Sequence, residues 1–133
     1  MIFIDTGAFL ARWLASDQHH ARARAGWERL ARENVRLRTS SFVLSETLTL
    51  LGRRAGYAFA AARGRSIRGS KMLDILRPNE RIEDEALDLF DKYADQRVSF
   101  TDCVSFALMR DARVRRAFSF DAHFERAGFE LWP

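Results

Sequence analysis

Cysteine, lysine and long apolar runs are all scarce in this chain of 133 residues. The single cysteine, Cys103, excludes an internal disulfide framework and fits a reducing cytoplasm. Its apolar neighbours predict a buried small side chain rather than a reactive thiol. No apolar stretch approaches the roughly 20 residues that span a bilayer. The first residues include no basic region and reach an acid at Asp5, so we expect no signal peptide.

Arginine, rather than lysine, supplies nearly all the positive charge of this chain. The 22 basic residues include only Lys71 and Lys92 as lysines, and the net charge is +4. Arginine-rich surface suits phosphate recognition, because the planar guanidinium forks onto phosphate oxygens. A soluble surface on which arginine simply replaces lysine is an equally good explanation. Charge alone therefore decides nothing about a nucleic-acid partner.

Size and composition predict one globular domain over residues 1–133, since 47% hydrophobic and 30% charged residues are ordinary for a soluble protein. Strand-like segments alternate with helix-like ones, which predicts an α/β fold with a mostly parallel sheet of four or five strands. The predicted strands are Ile2–Ile4, Val35–Thr39, Ala117–Phe120 and Phe129–Trp132, with a short strand on either side of Pro78-Asn79 as a further expectation. The predicted helices are Ala8–Ala15, Gln18–Glu33, one opened by Ser40-Ser41, Tyr57–Leu76, Glu83–Tyr93, one from Ser99 to about Arg113, and His123–Ala127.

Two acids directly follow predicted strands. Asp5 comes after Ile2-Phe3-Ile4, and Asp121 comes after Phe118-Ser119-Phe120. Ligands of open parallel sheets bind at the carboxyl ends of the strands, so both acids are expected at the same edge. Each could instead only cap the helix that follows, which is a common role for aspartate. Their shared edge favours a joint site over two separate caps.

Two further acids lie in apolar surroundings within predicted helices. Glu46 shares a helix stripe with Val43 and Leu50, and Arg53 is too far along the helix to pair with it. Because burying a lone carboxylate is costly, Glu46 must be protonated, paired with a distant arginine, or bound to a metal. Asp102 falls in the first turn of its helix, where the helix dipole by itself stabilises an anion.

Other charged side chains are assigned no site. Asp74 also has apolar neighbours, but it lies close to Lys71 and Arg77, which predicts simple pairing. The histidines do not predict a zinc site, because His19-His20 point to different faces of one helix and His123 stands alone.

Four carboxylates at one sheet edge would repel one another unless a cation neutralised them. Oxygen ligands favour Mg²⁺ or Mn²⁺ over zinc. Such a cation activates water for in-line attack on a phosphodiester and stabilises the leaving oxygen. The residues alone therefore predict a metal-dependent nuclease.

Four short motifs, spread over nearly the whole chain, resemble the PIN-domain family, and within it the VapC-type ribonuclease toxins of toxin–antitoxin modules. The motifs are Ile4-Asp5-Thr6-Gly7, Ser41-Phe42-Val43-Leu44-Ser45-Glu46, Ser99-Phe100-Thr101-Asp102 and Phe118-Ser119-Phe120-Asp121-Ala122-His123-Phe124. The resemblance implies a three-layer α/β/α sandwich with strand order 3-2-1-4-5. It also implies a Mg²⁺- or Mn²⁺-dependent endoribonuclease.

The resemblance further implies roles for individual residues. Asp5 and Asp102 would be the main metal ligands, and Asp121 would complete the metal site. Glu46 would ligate the metal or position the attacking water. The hydroxyl residues that orient such a site correspond to Thr6, Ser99 and Thr101.

The implied partners are an RNA substrate and an antitoxin whose C-terminal segment blocks the acidic site. Homodimers or higher assemblies are also implied. The basic stretch with Arg63, Arg65 and Arg68 could contact RNA, the antitoxin or only solvent.

Two other functions are compatible with parts of this pattern. A non-catalytic RNA-binding or scaffold domain could keep the same fold, although acids at all four positions argue against it. A phosphatase with an aspartyl nucleophile would carry a second acid two residues after Asp5, where this chain has Gly7. The metal-dependent ribonuclease is the better prediction.

Overall fold

The computed structural model describes all residues from 1 to 133 and contains five strands and seven α-helices. The strands are β1 (Ile2–Ile4), β2 (Leu37–Ser40), β3 (Leu73–Leu76), β4 (Arg116–Phe118) and β5 (Glu130–Trp132). The helices are α1 (Thr6–Trp13), α2 (His20–Glu33), α3 (Ser41–Ala55), α4 (Tyr57–Gly69), α5 (Glu80–Lys92), α6 (Phe100–Asp111) and α7 (Ala122–Arg126), with a 3₁₀-helix at Ala94–Gln96. None of these helices combines the length and the apolar character that a membrane-spanning helix requires.

The strands form one parallel sheet in the order β3-β2-β1-β4-β5. In the central strand β1, Ile2 pairs with Leu37 of β2 and with Arg116 of β4. Every residue of β1 is buried, although successive side chains point to opposite faces of the sheet. Helices therefore cover both faces, as is usual for parallel sheets, and the layers are α/β/α. The predicted fold class and strand order are confirmed.

Aromatic side chains fill the core between the sheet and the helices. Phe106 of α6 contacts Phe124 of α7 edge to face, with ring centroids 5.0 Å apart. On α2, Gly26 allows close approach to the sheet, because a Cβ there would lie 2.7 Å from Cζ of Phe118. Cys103 is fully buried in the same core, as predicted, and burial raises the pKa of its thiol to about 11.

One predicted helix is partly wrong. The stretch Tyr57–Leu76 is helical only to Gly69, and its last residues, Leu73–Leu76, form the edge strand β3. A four-residue apolar segment is too short for periodicity to distinguish strand from helix. No strand follows Pro78, because Asn79 caps α5 by accepting a hydrogen bond from the Ile82 amide at 2.9 Å.

The predicted partners of Asp74 are also wrong. Its carboxylate pairs with Arg36 and Arg38 of β2 rather than with the basic residues near it in the sequence. The parallel register places Arg38 directly opposite Asp74, so the two side chains share one face of the sheet. Pairing was the correct expectation, but the partner depends on strand register.

Candidate active site

Two of the predicted acids lie at the carboxyl ends of adjacent central strands. Asp5 follows β1 and Asp121 lies three residues beyond the end of β4. Strands β1 and β4 pair in parallel up to their last residues, Ile4 and Phe118. The amide of Asp5 then donates a hydrogen bond to the carbonyl of Phe118 at 3.1 Å. Both acids therefore emerge at the same edge of the sheet.

All four predicted acids line one cavity of about 560 Å³ at this edge. Asp5 enters from the junction of β1 and α1, Glu46 from α3, Asp102 from α6 and Asp121 from the residue before α7. The other side chains on the cavity wall include the following: Thr6, Leu10, His19, Leu50, Arg97, Ser99, Phe120 and His123. Elements that are distant in the sequence thus bring the four carboxylates together.

Asp5 is not used as a helix cap. It occupies the N-cap position of α1, but its side chain makes no capping hydrogen bond. Instead its Oδ2 accepts a hydrogen bond from Oγ of Ser119 at 2.8 Å. The same Ser119 oxygen accepts a hydrogen bond from the amide of Asp121 at 3.0 Å. Ser119 therefore links Asp5 to Asp121 and fixes their relative positions at the cavity.

The other two aspartates differ in how their helices are capped. Asp121 does cap α7, because its Oδ1 accepts a hydrogen bond from the His123 amide at 2.9 Å, so it serves the helix as well as the cavity. On α6 the cap is Ser99, whose Oγ accepts from the Asp102 amide at 3.1 Å. This leaves the Asp102 carboxylate free to face the cavity, where it is only 8% exposed.

Glu46 is half-buried on α3 and has no salt bridge. No arginine from elsewhere in the chain pairs with the Glu46 carboxylate. Its carboxylate borders the acid cavity on one side and a smaller neighbouring cavity on the other. The neighbouring cavity is also lined by Thr101, which does not reach the acid cavity itself.

Burial and mutual repulsion disfavour ionisation of all four carboxylates in the cavity at once. Burial, opposed by the Ser119 hydrogen bond and reinforced by Glu46 and Asp121, raises the pKa of Asp5 to about 6. Burial and then the nearby charges of Asp5, Asp121 and Glu46 raise the pKa of Asp102 to about 8. Near neutral pH the cluster must therefore retain protons or bind a cation.

His123 is a member of the site that sequence reasoning missed. Its Nδ1 lies 3.1 Å from Oδ1 of Asp121 and 4.0 Å from Oδ2 of Asp102. One ligand atom from each of these three residues lies within 4.8 Å of the others. The prediction that His123 stands alone is wrong. A usable signal was its position two residues after a capping aspartate, which turns the ring towards that carboxylate.

The predicted supporting and contact residues divide into two groups. Thr6 and Ser99 line the acid cavity, and Oγ1 of Thr6 is buried without a hydrogen-bond partner. The arginines Arg63, Arg65 and Arg68 lie on α4, outside the cavity wall. Arg63 packs over the ring of Phe59 at 4.8 Å. A role for α4 in binding RNA or antitoxin stays a prediction.

The donors present fit a hard divalent cation. Carboxylate oxygens are the ligands that Mg²⁺ and Mn²⁺ prefer, and Asp102 and Asp121 already offer two of them close together. Burial, reinforced by repulsion between the carboxylates, raises the pKa of Asp5 and of Asp102, and a bound cation would offset both effects. The arrangement suits binding of a metal beside a phosphate group.

Known proteins are similar to this chain in fold and in sequence. The PIN domain family matches residues 2–130. The 23S rRNA-specific endonuclease VapC20 of Mycobacterium tuberculosis, from strains CDC 1551 / Oshkosh and ATCC 25618 / H37Rv, is 36% identical over 129 residues, which cover 97% of this chain and 95% of the relative. The crystal structure of Mycobacterium tuberculosis VapC20, described as a sarcin–ricin loop cleaving toxin, aligns with a TM-score of 0.87 at 34% identity, covering 97% of this chain and 96% of the other. The predicted resemblance to the family is confirmed, and this chain belongs to the PIN-domain family.

Proposed function

We propose that this protein is a Mg²⁺- or Mn²⁺-dependent endoribonuclease that acts in the cytoplasm as the toxin of a toxin–antitoxin pair. The observation that carries the proposal is the convergence of Asp5, Glu46, Asp102 and Asp121 on one cavity. Burial and mutual repulsion in that cavity raise the pKa of two of them. A non-catalytic scaffold has no need of such a costly cluster.

In this proposal Asp5, Asp102 and Asp121 hold the cation, as the motifs imply. A cation held by these carboxylates would offset their mutual repulsion and would supply the activation of water that attack on a phosphodiester requires. Glu46 faces the cavity without a basic partner, so its carboxylate is free to orient the attacking water and accept its proton.

Hydroxyl groups complete the proposed site. Ser119 keeps Asp5 and Asp121 at a fixed separation. Thr6 lines the cavity directly after Asp5, and its Oγ1 is buried without a hydrogen-bond partner. Ser99 acts indirectly, because by capping α6 it orients the turn that carries Asp102.

Ribosomal RNA is the proposed substrate. The support is the similarity to VapC20, which is described as 23S rRNA-specific and as cleaving the sarcin–ricin loop. We further propose that an antitoxin blocks the acid cavity and that the toxin forms homodimers or higher assemblies with it. Contacts of Arg63, Arg65 and Arg68 with RNA or antitoxin belong to the same proposal.

The test is cleavage of an end-labelled sarcin–ricin stem-loop RNA and of intact 23S rRNA by the purified protein. We expect cleavage with Mg²⁺ or Mn²⁺, none with excess chelator, and none from Asp5→Asn or Asp102→Asn. Asp88→Asn is the matched control, because Asp88 is an exposed acid on α5 outside the cavity. Full activity in chelator, or in either cavity variant, would contradict the proposal.

A further inference from the structure

Two aromatic rings form part of the wall of the acid cavity. His19, at the start of α2, stacks on Phe120, which directly precedes Asp121. The ring centroids are 4.3 Å apart and the planes are inclined by only 6°. Both side chains are half-buried, so part of this stacked pair faces the cavity. Nothing in the proposed metal chemistry requires these rings.

Local hydrogen bonds hold the loop that carries His19 in place. The His19 amide donates to Oδ1 of Asp17 at 2.8 Å, and Nδ1 of His20 lies 2.7 Å from the carbonyl of Ala11. Phe120 is supported from behind by an edge contact with Phe118 at 5.9 Å. The His19 ring itself makes no hydrogen bond or salt bridge within the protein. Its position is therefore set by stacking, and its edge remains free.

Unpaired positive charge flanks the stacked pair. Arg22, one turn along α2 from His19, places its guanidinium 5.3 Å from the Phe120 ring. Arg97 lines the acid cavity, whereas Arg22 lies outside its wall. Neither arginine forms a salt bridge, although Arg97 shares the cavity with four carboxylates. Guanidinium groups in this position are available to phosphate oxygens.

We propose that the His19–Phe120 pair is a stacking platform for one base of the RNA, beside the phosphate that is cleaved, and that Arg22 and Arg97 hold adjoining phosphates. The inference rests on the proposed ribonuclease function and names the substrate contact of the same cavity. A flat, pre-ordered ring pair with basic neighbours matches how proteins hold unpaired bases, which stack on aromatic side chains while arginine contacts the backbone. His19 is then a substrate-positioning residue.

The test measures binding of a fluorescein-labelled sarcin–ricin stem-loop RNA in the presence of chelator, so that cleavage does not interfere. His19→Ala should weaken binding by about 5- to 150-fold, the range that base–aromatic stacking spans. His19→Tyr keeps an aromatic ring without an imidazole and should bind within about twofold of wild type. Gln18→Ala is the matched control, because Gln18 is the exposed neighbour of His19 in the same loop and does not line the cavity.

A second set of RNAs separates stacking from a structural effect. Each RNA lacks the base at one position of the loop and is otherwise unchanged. For the RNA that lacks the stacked base, wild type should bind more weakly than it binds the intact RNA. On that same RNA, His19→Ala and wild type should bind with equal affinity. Thermal unfolding should show that His19→Ala is folded at the assay temperature, with a melting temperature lowered only by the loss of its stack on Phe120.

The outcomes distinguish this inference from the proposed function. If wild type binds and cleaves RNA but His19→Ala behaves like Gln18→Ala, the platform is wrong and the nuclease stands. The platform is also wrong if the His19→Ala defect persists on every base-deleted RNA. If wild type neither binds nor cleaves any RNA tested, the proposed function fails, and this inference fails with it.

Discussion

Asp102→Asn should stabilise the metal-free protein relative to wild type, and by clearly more at pH 8 than at pH 5. Burial and the neighbouring carboxylates raise the pKa of Asp102 to about 8 in the folded protein. The unfolded chain has an ordinary pKa near 3.9. Between these values the folded state binds more protons than the unfolded state, so the free energy of unfolding falls as the pH rises. Asparagine keeps the shape of the side chain and removes this titration.

The size of the effect follows from the pKa of Asp102. A change of one pKa unit corresponds to about 1.4 kcal/mol. Partial entry of water and relaxation of the cluster reduce the full value, so we expect a relative stabilisation of about 2 to 4 kcal/mol between pH 5 and pH 8. Asp5, whose pKa is raised to about 6, contributes in the same direction at lower pH in both proteins. The comparison with wild type therefore reports the titration of Asp102 together with its interaction with Asp5.

The assay is urea unfolding at several pH values with chelator present, followed by the same series with Mg²⁺ or Mn²⁺. Wild type should regain stability at pH 8 when the cation is added, because the cation replaces the protons in the cavity. Asp102→Asn should respond much less. Asp88→Asn, an exposed acid outside the cavity, should follow wild type in both series. Parallel pH profiles for wild type and Asp102→Asn would refute the assigned electrostatics.

Three further substitutions test other parts of the structure. Gly26→Ala should lower the free energy of unfolding by about 1 to 3 kcal/mol in urea titrations, because its Cβ would lie 2.7 Å from Cζ of Phe118. Ser119→Ala should weaken cation binding measured by calorimetry and slow RNA cleavage, because Asp5 loses its 2.8 Å hydrogen bond. Arg97→Gly should raise the melting temperature while weakening RNA binding, because Arg97 has φ of +54°, a left-handed conformation that costs a side-chain residue about 1 to 2 kcal/mol.

Each of these expectations has a clear contrary result. Gly69→Ala, where a Cβ would meet nothing within 4 Å, is the control for Gly26→Ala, and equal stability of the two would contradict the close packing of α2 on β4. Unchanged cation affinity in Ser119→Ala would show that the aspartates hold their positions without it. A lower melting temperature for Arg97→Gly would mean that the arginine side chain stabilises the fold more than its backbone conformation costs.

The sequence alone was sufficient for the fold class and for the neighbourhood of the site. Apolar periodicity is a local property, so the alternation of strands and helices could be read without knowing any contact. Asp5 and Asp121 follow strands, and parallel strands of one sheet end at the same edge, which made their convergence predictable. Glu46 could be singled out because no basic residue lies within reach along its helix. The same local method failed at Leu73–Leu76, because four residues are too few for hydrophobic periodicity to distinguish a strand from a helix.

Contacts between distant segments were decided only by the tertiary structure. Ser119 joins Asp5 across 114 positions of the chain, and Asp74 pairs with Arg38 through the register of β2 and β3. The stacking of His19 on Phe120 likewise joins two loops far apart in sequence. Such pairs depend on register and on how helices pack over the sheet, neither of which leaves a local pattern in the residues. The sequence thus determined which side chains have the right chemistry, and packing of the folded chain decided which of them meet.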